Sequence, residues 1–168
     1  KLLRDLTDYS MSDQLTKQRS DLCNLLRRAY LSCLPLTEGT NKTLTYTSRV
    51  SCAYMPLDSP KMMEALLNLI VNALDAVSDN GSVQIILTKS NEQFVVSITD
   101  DGCGIAPKQL LTIFHPFTTT KPDGTGLGLP VAKRIIEGHG GHIRVSSAPN
   151  QGATFTFLLP CSFSSDKK

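Results

Sequence analysis

Two asparagines, Asn68 and Asn72, lie one helical turn apart in a segment otherwise rich in leucine, isoleucine and valine. If this segment is a helix, Glu64, Asn68, Asn72 and Asp75 fall within an arc of roughly 80°, and apolar side chains cover the rest of its surface. Asparagine is a poor helix former because its amide competes for backbone hydrogen bonds. A single asparagine here could be explained by hydrogen bonds that its side chain makes to buried backbone groups nearby. Two on a narrow stripe predict a lined pocket.

Two glycine clusters follow this stripe. The first, from Asp100 to Ile105, ends a predicted strand, and the second, from Gly124 to Leu129, begins a predicted helix. A simple Asp-Gly turn would explain the first cluster alone. The second places flexible glycines before a helix N-terminus, where unsatisfied N–H groups attract anions. A dinucleotide-binding fold is disfavoured, because the spacing is Gly-x-Gly-x-Gly and no parallel βαβ unit is predicted around it.

In this order, the stripe and the two glycine clusters resemble the N, G1 and G2 boxes of one superfamily. It contains DNA gyrase, the large heat-shock chaperones, sensor histidine kinases and the mismatch-repair ATPases. Between the clusters, the segment from Phe114 to Lys121 resembles the F box of two-component sensor kinases. The complete set, from Asp58 to Pro160, resembles the catalytic, ATP-binding domain of a histidine kinase of the nitrogen-regulation type.

The resemblance implies ATP and Mg²⁺ as cofactors and a Bergerat-type fold. This fold is α/β (α+β), a two-layer sandwich of a mixed, mostly antiparallel sheet with helices on one face, and the order of the predicted elements agrees with it. Asp100 matches the aspartate that accepts the adenine amine. Gly102 and Gly104 would let the backbone approach the base, and Thr154 matches a threonine that holds adenine through water.

For the metal and phosphates, the resemblance implies Asn72 as the first magnesium ligand and Asn68 as the second. Lys121 either neutralises the γ-phosphate or is a solvated loop lysine. Asp75 stands where many relatives carry lysine, which leaves its role open. Asn68 and Lys121 are the catalytic candidates. The implied nucleotide-binding residues are Asn68, Asn72, Asp75, Asp100, Gly102, Gly104, Ile105, Lys121, Gly124, Thr125, Gly126, Leu127, Gly128, Leu129 and Thr154.

Four activities remain open: phosphoryl transfer to histidine, ATP hydrolysis, phosphorylation of serine, and nucleotide binding without transfer. Hydrolases of the superfamily carry a water-activating glutamate one turn before the magnesium asparagine, and here that position is Asn68. Glu64 lies a further turn away, about 6 Å along the axis, and is expected to support Asn68 or contact a partner domain. Phosphoryl transfer to an imidazole is therefore favoured over hydrolysis or serine phosphorylation. A module that binds nucleotide without transferring it is the third alternative.

No histidine of the chain has the acidic context of a phosphoacceptor. His115 lies in the F-box-like segment, while His139 and His142 flank a helix-ending Gly-Gly turn. The acceptor is therefore expected upstream. The implied partners are the protein's own dimerisation and phosphoacceptor domain and the receiver domain of a response regulator, with the full-length protein a homodimer.

Composition excludes other classes. The net charge of +2 and the 6% aromatic content give no reason to expect a nucleic-acid partner. Five cysteines without Cys-x-x-Cys spacing indicate neither zinc nor a disulfide framework. No apolar run approaches the ~20 residues that span a bilayer, so we expect a soluble, cytoplasmic chain. It begins at Lys1 rather than Met, as a piece of a longer protein would.

The predicted organisation has three parts. Residues 1–20 are the end of an upstream dimerisation helix and a linker, residues 21–161 are the catalytic domain, and residues 162–168 are a disordered tail. Ser59-Pro60 is expected to start the stripe helix, and Phe114 and Phe117 to anchor a mobile loop in apolar pockets. The predicted helices are one that begins at Leu22 with Asp21 as its cap, one at 59–78, a short one after Pro107 and one at 129–138. A strand is predicted at 43–50, followed by an irregular approach to Asp58, and hairpins are predicted at 83–99 and 142–159.

Overall fold

The structure is a computed structural model, and it describes residues 14–121 and 124–161. The predictions for the N-terminal helix and the C-terminal tail therefore lie outside the described residues. The strands are β1 (Gln18–Asp21), β2 (Thr43–Ser48), β3 (Tyr54–Leu57), β4 (Ser82–Ser90), β5 (Gln93–Asp100), β6 (His142–Ser147) and β7 (Ala153–Pro160). The helices are α1 (Leu22–Cys33), α2 (Ser59–Ala76), α3 (Pro107–Leu110) and α4 (Gly128–Gly138), with a 3₁₀ turn at Leu34–Thr37.

Five strands form one mixed sheet in the order β2-β4-β5-β7-β6. Strand β2 pairs with β4 in parallel, and the remaining neighbours are antiparallel. The parallel pair is joined through α2, since antiparallel hairpins need only a short turn but a parallel connection needs a crossover. Strands β1 and β3 form a separate two-stranded antiparallel ribbon. The predicted mixed, mostly antiparallel sheet is confirmed.

The core lies between this sheet and helices α1, α2 and α4. Side chains alternate along β5, so that Phe94, Val96, Ile98 and Asp100 are buried while the residues between them are only partly so. Opposite them on β7, Phe155 and Phe157 are among the largest fully buried side chains. Alternation therefore turns Asp100, the last residue of β5, toward the helices rather than toward the open face of the sheet.

Helix α2 begins as expected but is capped by a different residue. Asp58, rather than Ser59, is the N-cap, and its Oδ1 accepts a hydrogen bond of 3.1 Å from the Lys61 amide. The helix ends at Ala76, two residues earlier than predicted. The prediction of an irregular approach to Asp58 is wrong, because Tyr54–Leu57 forms β3. Sequence patterning missed this strand because it is four residues long and contains a proline.

A buried histidine joins the start of α2 to the end of α4. The Asp58 amide donates to His139 Nε2 at 2.9 Å, so Nδ1 must carry the ring proton that it donates to the Ile135 carbonyl at 2.7 Å. The ring is therefore neutral. Burial lowers the pKa of His139 below its usual range, outweighing the hydrogen bond to Ile135, which favours the charged form.

This histidine should make folding stability depend on pH. Below about pH 6.5 the unfolded chain binds a proton at His139 while the folded chain does not. The contribution of His139 to the free energy of unfolding is therefore complete above that pH and is lost as the pH falls. This one proton changes the free energy of unfolding by at most about 1.4 kcal/mol per pH unit. Urea unfolding between about pH 7.5 and 5.5 should show a shallower slope for His139→Gln. The same change at the exposed His142 should leave the slope as in the parent, and equal slopes for all three proteins would contradict the assignment.

Candidate functional site

The polar stripe of α2 carries the residues with the most distinctive spacing. Asn68 and Asn72 are half-buried, and Asp75 near the helix end is exposed. Opposite the stripe, the helix buries Met62, Leu66, Leu69, Ile70 and Ala73. Because apolar contacts fix the rotation of the helix, the stripe can only face outward beside the loops that follow β5 and precede α4.

The turn after β5 packs on the C-terminal end of α2. The Cys103 amide donates to the Ala76 carbonyl at 3.2 Å. A Cβ added at Gly102 would lie 2.3 Å from the Ala76 oxygen, and one at Gly104 would lie 2.0 Å from the Ala148 oxygen. Both positions therefore need glycine so that the turn can lie against backbone. The structure thus gives a packing reason for these glycines, and the predicted approach of their backbone to a base stays a prediction.

Asp100 is prepared as a hydrogen-bond acceptor. Its side chain is buried, with the residue 4% exposed. The amides of Gly102 and Ala153 donate to the same oxygen, Oδ1, at 3.0 and 3.2 Å. These bonds occupy Oδ1, so Oδ2 is the carboxylate oxygen that a ligand could use as an acceptor. Burial raises the pKa of Asp100, and the two backbone hydrogen bonds oppose this shift.

Thr154 does not share this side of the sheet. The residue opposite Asp100 on β7 is Ala153, whereas Thr154 pairs with Thr99. The two threonine hydroxyls lie 3.1 Å apart. Because successive side chains of a strand point to opposite faces, the prediction of Thr154 as an adenine contact is wrong. The neighbour that contacts Asp100 is the backbone of Ala153.

Ser147 is a residue of this region that sequence reasoning missed. Its hydroxyl accepts from the Ile105 amide at 2.9 Å and donates to the Gly152 carbonyl at 2.6 Å. The Gly152 amide in turn donates to the Gly102 carbonyl at 3.0 Å. These bonds join the turn after β5 to the β6–β7 hairpin. No local pattern predicts them, because Ser147 and Ile105 are 42 residues apart.

The glycine-rich loop meets the stripe where α4 begins. A Cβ at Gly128 would lie 3.4 Å from Asn68 Oδ1, so Asn68 lies against the first turn of this helix. The amides of Gly128 and Leu129 have no acceptor within the helix, and Pro130 carries no amide hydrogen. Leu127, the N-cap of this helix, is buried. The helix N-terminus therefore offers donors for an anion beside Asn68.

Lys121 reaches the C-terminal half of the stripe. Its ammonium donates to Asp75 Oδ2 at 2.9 Å and to Asn72 Oδ1 at 3.2 Å. The structure thus brings together Asn68, Asn72, Asp75 and Lys121, as the resemblance implied. Glu64 pairs with Lys61 at 3.2 Å rather than with Asn68, and its other expected role, contact with a partner domain, stays a prediction.

The two phenylalanines of the loop differ in environment. Phe114 is half-buried and lies edge-on to Phe155, with ring centroids 6.4 Å apart. Phe117 is 59% exposed and has a positive φ of 65°. The expectation of an apolar anchor therefore holds for Phe114 and is wrong for Phe117. The Phe117 amide instead donates to the Gly126 carbonyl at 3.0 Å, which joins the two ends of the loop.

The donor set suits magnesium better than a metal that needs several strong protein ligands. Within residues 14–121 and 124–161 there is no group of three or more His, Cys, Asp or Glu side chains that could hold a metal ion. Asn72 supplies a neutral amide oxygen, and Mg²⁺ commonly takes one or two protein oxygens together with phosphates and water. All five cysteines are free. No helix in the described part of the chain is long and apolar enough to span a membrane.

This combination of sheet, polar stripe and glycine-rich loops defines a class of ATPases. The family model described as "Histidine kinase-, DNA gyrase B-, and HSP90-like ATPase" matches residues 57–162. Since the match covers more than half of the chain, the protein belongs to this family.

Within the family, the similar proteins are sensor histidine kinases. The chain is 36% identical to the sensor histidine kinase ZraS of Salmonella typhimurium, over 89% of this chain and 36% of that protein. It is also 36% identical to the histidine-protein kinase AtoS of Escherichia coli, over 95% of this chain and 26% of that protein. The chain thus spans about a quarter to a third of these relatives.

Solved structures agree in fold. The catalytic domain of histidine kinase ThkA superposes with a TM-score of 0.79 at 29% identity, over 87% of this chain and 96% of that chain. Full-length ShkA in complex with AMPPNP superposes with a TM-score of 0.85 at 26% identity, over 95% of this chain and 35% of that chain. The architecture is therefore that of a histidine kinase catalytic domain.

Proposed function

We propose that this chain is the ATP-binding catalytic domain of a sensor histidine kinase. It transfers the γ-phosphoryl group of ATP to a histidine on an upstream dimerisation domain, for relay to the receiver domain of a response regulator. The observation that carries the proposal is the convergence of three segments on one helix stripe. The N-terminus of α4 lies at Asn68, Lys121 at Asn72 and Asp75, and the Asp100 turn at Ala76.

The nucleotide lies along this stripe. Asp100 Oδ2 accepts a hydrogen bond from the exocyclic amine of adenine, while guanine presents an oxygen at that position and is repelled. The phosphates extend toward Asn72 and the start of α4, where the amides of Gly128 and Leu129 and the helix dipole favour negative charge. Gly124, Thr125 and Gly126 bring the preceding loop to the phosphates, and Ile105 lies beside the base.

Asn72, with Asn68 as second candidate, would hold a magnesium ion beside the phosphates. When bound, the ion neutralises phosphate charge and stabilises the negative oxygens during transfer. Lys121 adds a positive charge near the γ-phosphate. The residues of this chain therefore act by positioning and by charge neutralisation, which are the main contributions in phosphoryl transfer.

Transfer rather than hydrolysis is supported by the side chain one turn before Asn72. Asn68 is neutral, lies against the start of α4 and has no basic oxygen with which to activate water. Glu64 is paired with Lys61 and is a further turn away. An imidazole acceptor is already a nucleophile and needs no such activation.

The full-length protein is proposed to act as a homodimer, with its dimerisation domain supplying the acceptor. This catalytic domain is proposed to work in the cytoplasm, whether the full-length protein is cytosolic or membrane-attached. ZraS and AtoS are named as histidine kinases, and ThkA has been solved in complex with the response regulator protein TrrA. His139 is buried and bonded on both ring nitrogens, so it is not available as the acceptor.

The decisive experiment follows the phosphoryl group. The chain alone should turn ATP over very slowly and label itself hardly at all. Incubated with radiolabelled ATP, magnesium and the dimerisation domain of the same parent kinase, it should label that domain, and chelating the metal with EDTA should stop the transfer. The label should be lost in acid and kept in alkali, as phosphohistidine is.

Other results identify the alternatives. Rapid phosphate release by the isolated chain would indicate a hydrolase of the chaperone type. Acid-stable label would indicate a serine kinase, and tight ATP binding without transfer would indicate a nucleotide-binding module. A dimerisation domain with its acceptor histidine changed to glutamine is the matched control and should remain unlabelled.

A further inference from the structure

The Lys121 ammonium is fixed by two residues of α2 that lie three positions apart. It donates to Asp75 Oδ2 at 2.9 Å and to Asn72 Oδ1 at 3.2 Å. Within its own loop, the Lys121 amide donates to the Thr119 hydroxyl at 3.1 Å, which orders the backbone but not the long side chain. Lysine has a flexible four-carbon stem and a point charge. The position of that charge is therefore set by α2.

The two anchors have different chemistry. Asn72 offers a neutral oxygen, and it is also the residue proposed to hold magnesium. A magnesium ion held by Asn72 would repel the ammonium from the same amide oxygen, because like charges at that distance repel. Asp75 carries a full negative charge and lies nearly one turn closer to the helix end. It is the anchor that can keep Lys121 over the stripe after Asn72 is taken.

We infer that Asp75 is a positioning residue for Lys121. It holds the ammonium beside the phosphate end of the site, so that the lysine meets the γ-phosphate instead of extending into solvent. This inference rests on the proposed nucleotide site and assigns a role to an acidic side chain that a triphosphate would otherwise repel. Asp75 therefore favours ATP binding only while Lys121 is present.

The pair is built for positioning rather than for folding stability. The side chains of Lys121 and Asp75 are 43% and 52% exposed, and ion pairs at such exposure contribute little to stability because water screens them. Asp75→Asn should accordingly leave the urea unfolding midpoint where it is. A shift in nucleotide affinity can then be assigned to the site.

A double-mutant cycle tests the coupling through direct binding of ATP and ADP, measured by calorimetry. Asp75→Asn should weaken ATP binding about threefold to tenfold, or about 0.6 to 1.4 kcal/mol, and ADP binding less, since ADP lacks the γ-phosphate. In the Lys121→Gln background, the same change should give no further loss. Asp79→Asn, an equal change of charge at an exposed residue just beyond the helix, should have no effect.

Two results would overturn the inference. One is tighter ATP binding by Asp75→Asn, which would mean that the carboxylate only repels phosphate. The other is an equal loss with and without Lys121. Failure of the unaltered chain to bind ATP is a different outcome, because it would reject the proposed nucleotide site itself.

A second measurement needs no nucleotide. An amine-reactive ester should label Lys121 several-fold faster in Asp75→Asn than in the parent or in Asp79→Asn, because the ammonium loses its charged partner. Peptide mass spectrometry reads the label at each lysine. Unchanged labelling of Lys121 would show that Asp75 does not hold it and would also overturn the inference.

Discussion

Replacing Asp100 with asparagine is expected to weaken ATP binding by about 1–3 kcal/mol, the range for a buried polar group that loses its partner. The Gly102 and Ala153 amides both donate to Oδ1, so the asparagine oxygen should take that position and its NH₂ group should replace Oδ2. A donor would then face the donor amine of adenine. The internal hydrogen bonds survive, and the fold should be unaffected.

The same change should improve GTP binding, because guanine presents an acceptor where adenine presents its amine. Competition against a fluorescent nucleotide measures both affinities. Asp101→Asn is the matched control, since Asp101 is exposed and contacts Ser82 with both carboxylate oxygens. Equal affinities for ATP and GTP in the parent protein would rule out recognition of the adenine amine by Asp100.

Acid should mimic this substitution in the parent protein. With Oδ1 occupied by two backbone amides, a proton on Asp100 belongs on Oδ2, where it turns the acceptor into a donor. Because burial raises the pKa of Asp100, ATP affinity should fall with decreasing pH earlier than for an exposed aspartate. The Asp100→Asn variant should show no such dependence.

Local patterns were sufficient to predict most helices and strands. The 3.6-residue period predicted α2 and α4, and alternation with polar turns predicted the two hairpins. Strands β1 and β3 were missed because they are four residues each and gain their regularity from pairing with each other. Ser59 was expected to cap α2, but the cap is Asp58. The Asp58 amide also donates to His139, which lies 81 positions away and is invisible to a local pattern.

The candidate site divides in the same way. The stripe and the glycine clusters were visible because each is contiguous. The pairing of Lys121 with Asp75 was not visible, since 46 positions separate them and Asp75 departs from the common lysine. Thr154 was chosen by position along the sequence, and the error came from ignoring which face of the sheet it occupies. Two features could therefore not be predicted from the sequence: contacts between residues far apart in the chain, and the face of the sheet on which a strand residue lies.

Gly152 should be among the residues least able to accept a side chain. Its φ is +68°, and a Cβ there would lie 1.9 Å from the Asp100 carbonyl oxygen and 2.9 Å from the Asp101 Cα. Both are backbone atoms and cannot move aside as a flexible side chain would. Gly152→Ala must therefore displace the end of β5, where Asp100 is held.

Gly39→Ala supplies the matched comparison. Gly39 has a similar φ of +74°, but a Cβ there would meet nothing within 4 Å. The left-handed backbone alone should cost Gly39→Ala about 1–2 kcal/mol. Gly152→Ala adds forced displacement of packed backbone, so its total loss should be at least about 3 kcal/mol.

Urea unfolding of both variants measures the difference between their free energies of unfolding. ATP binding then shows whether the damage reaches the site at Asp100. Gly152→Ala should also lose most of its nucleotide affinity even where it remains folded, because the carboxylate of Asp100 moves with its backbone. Gly39→Ala should bind ATP as the parent does. If Gly152→Ala fails to fold while Gly39→Ala folds, the steric argument holds. Equal losses of stability in the two variants would mean that the turn yields and that the close approach of Gly152 to Asp100 does not define the site.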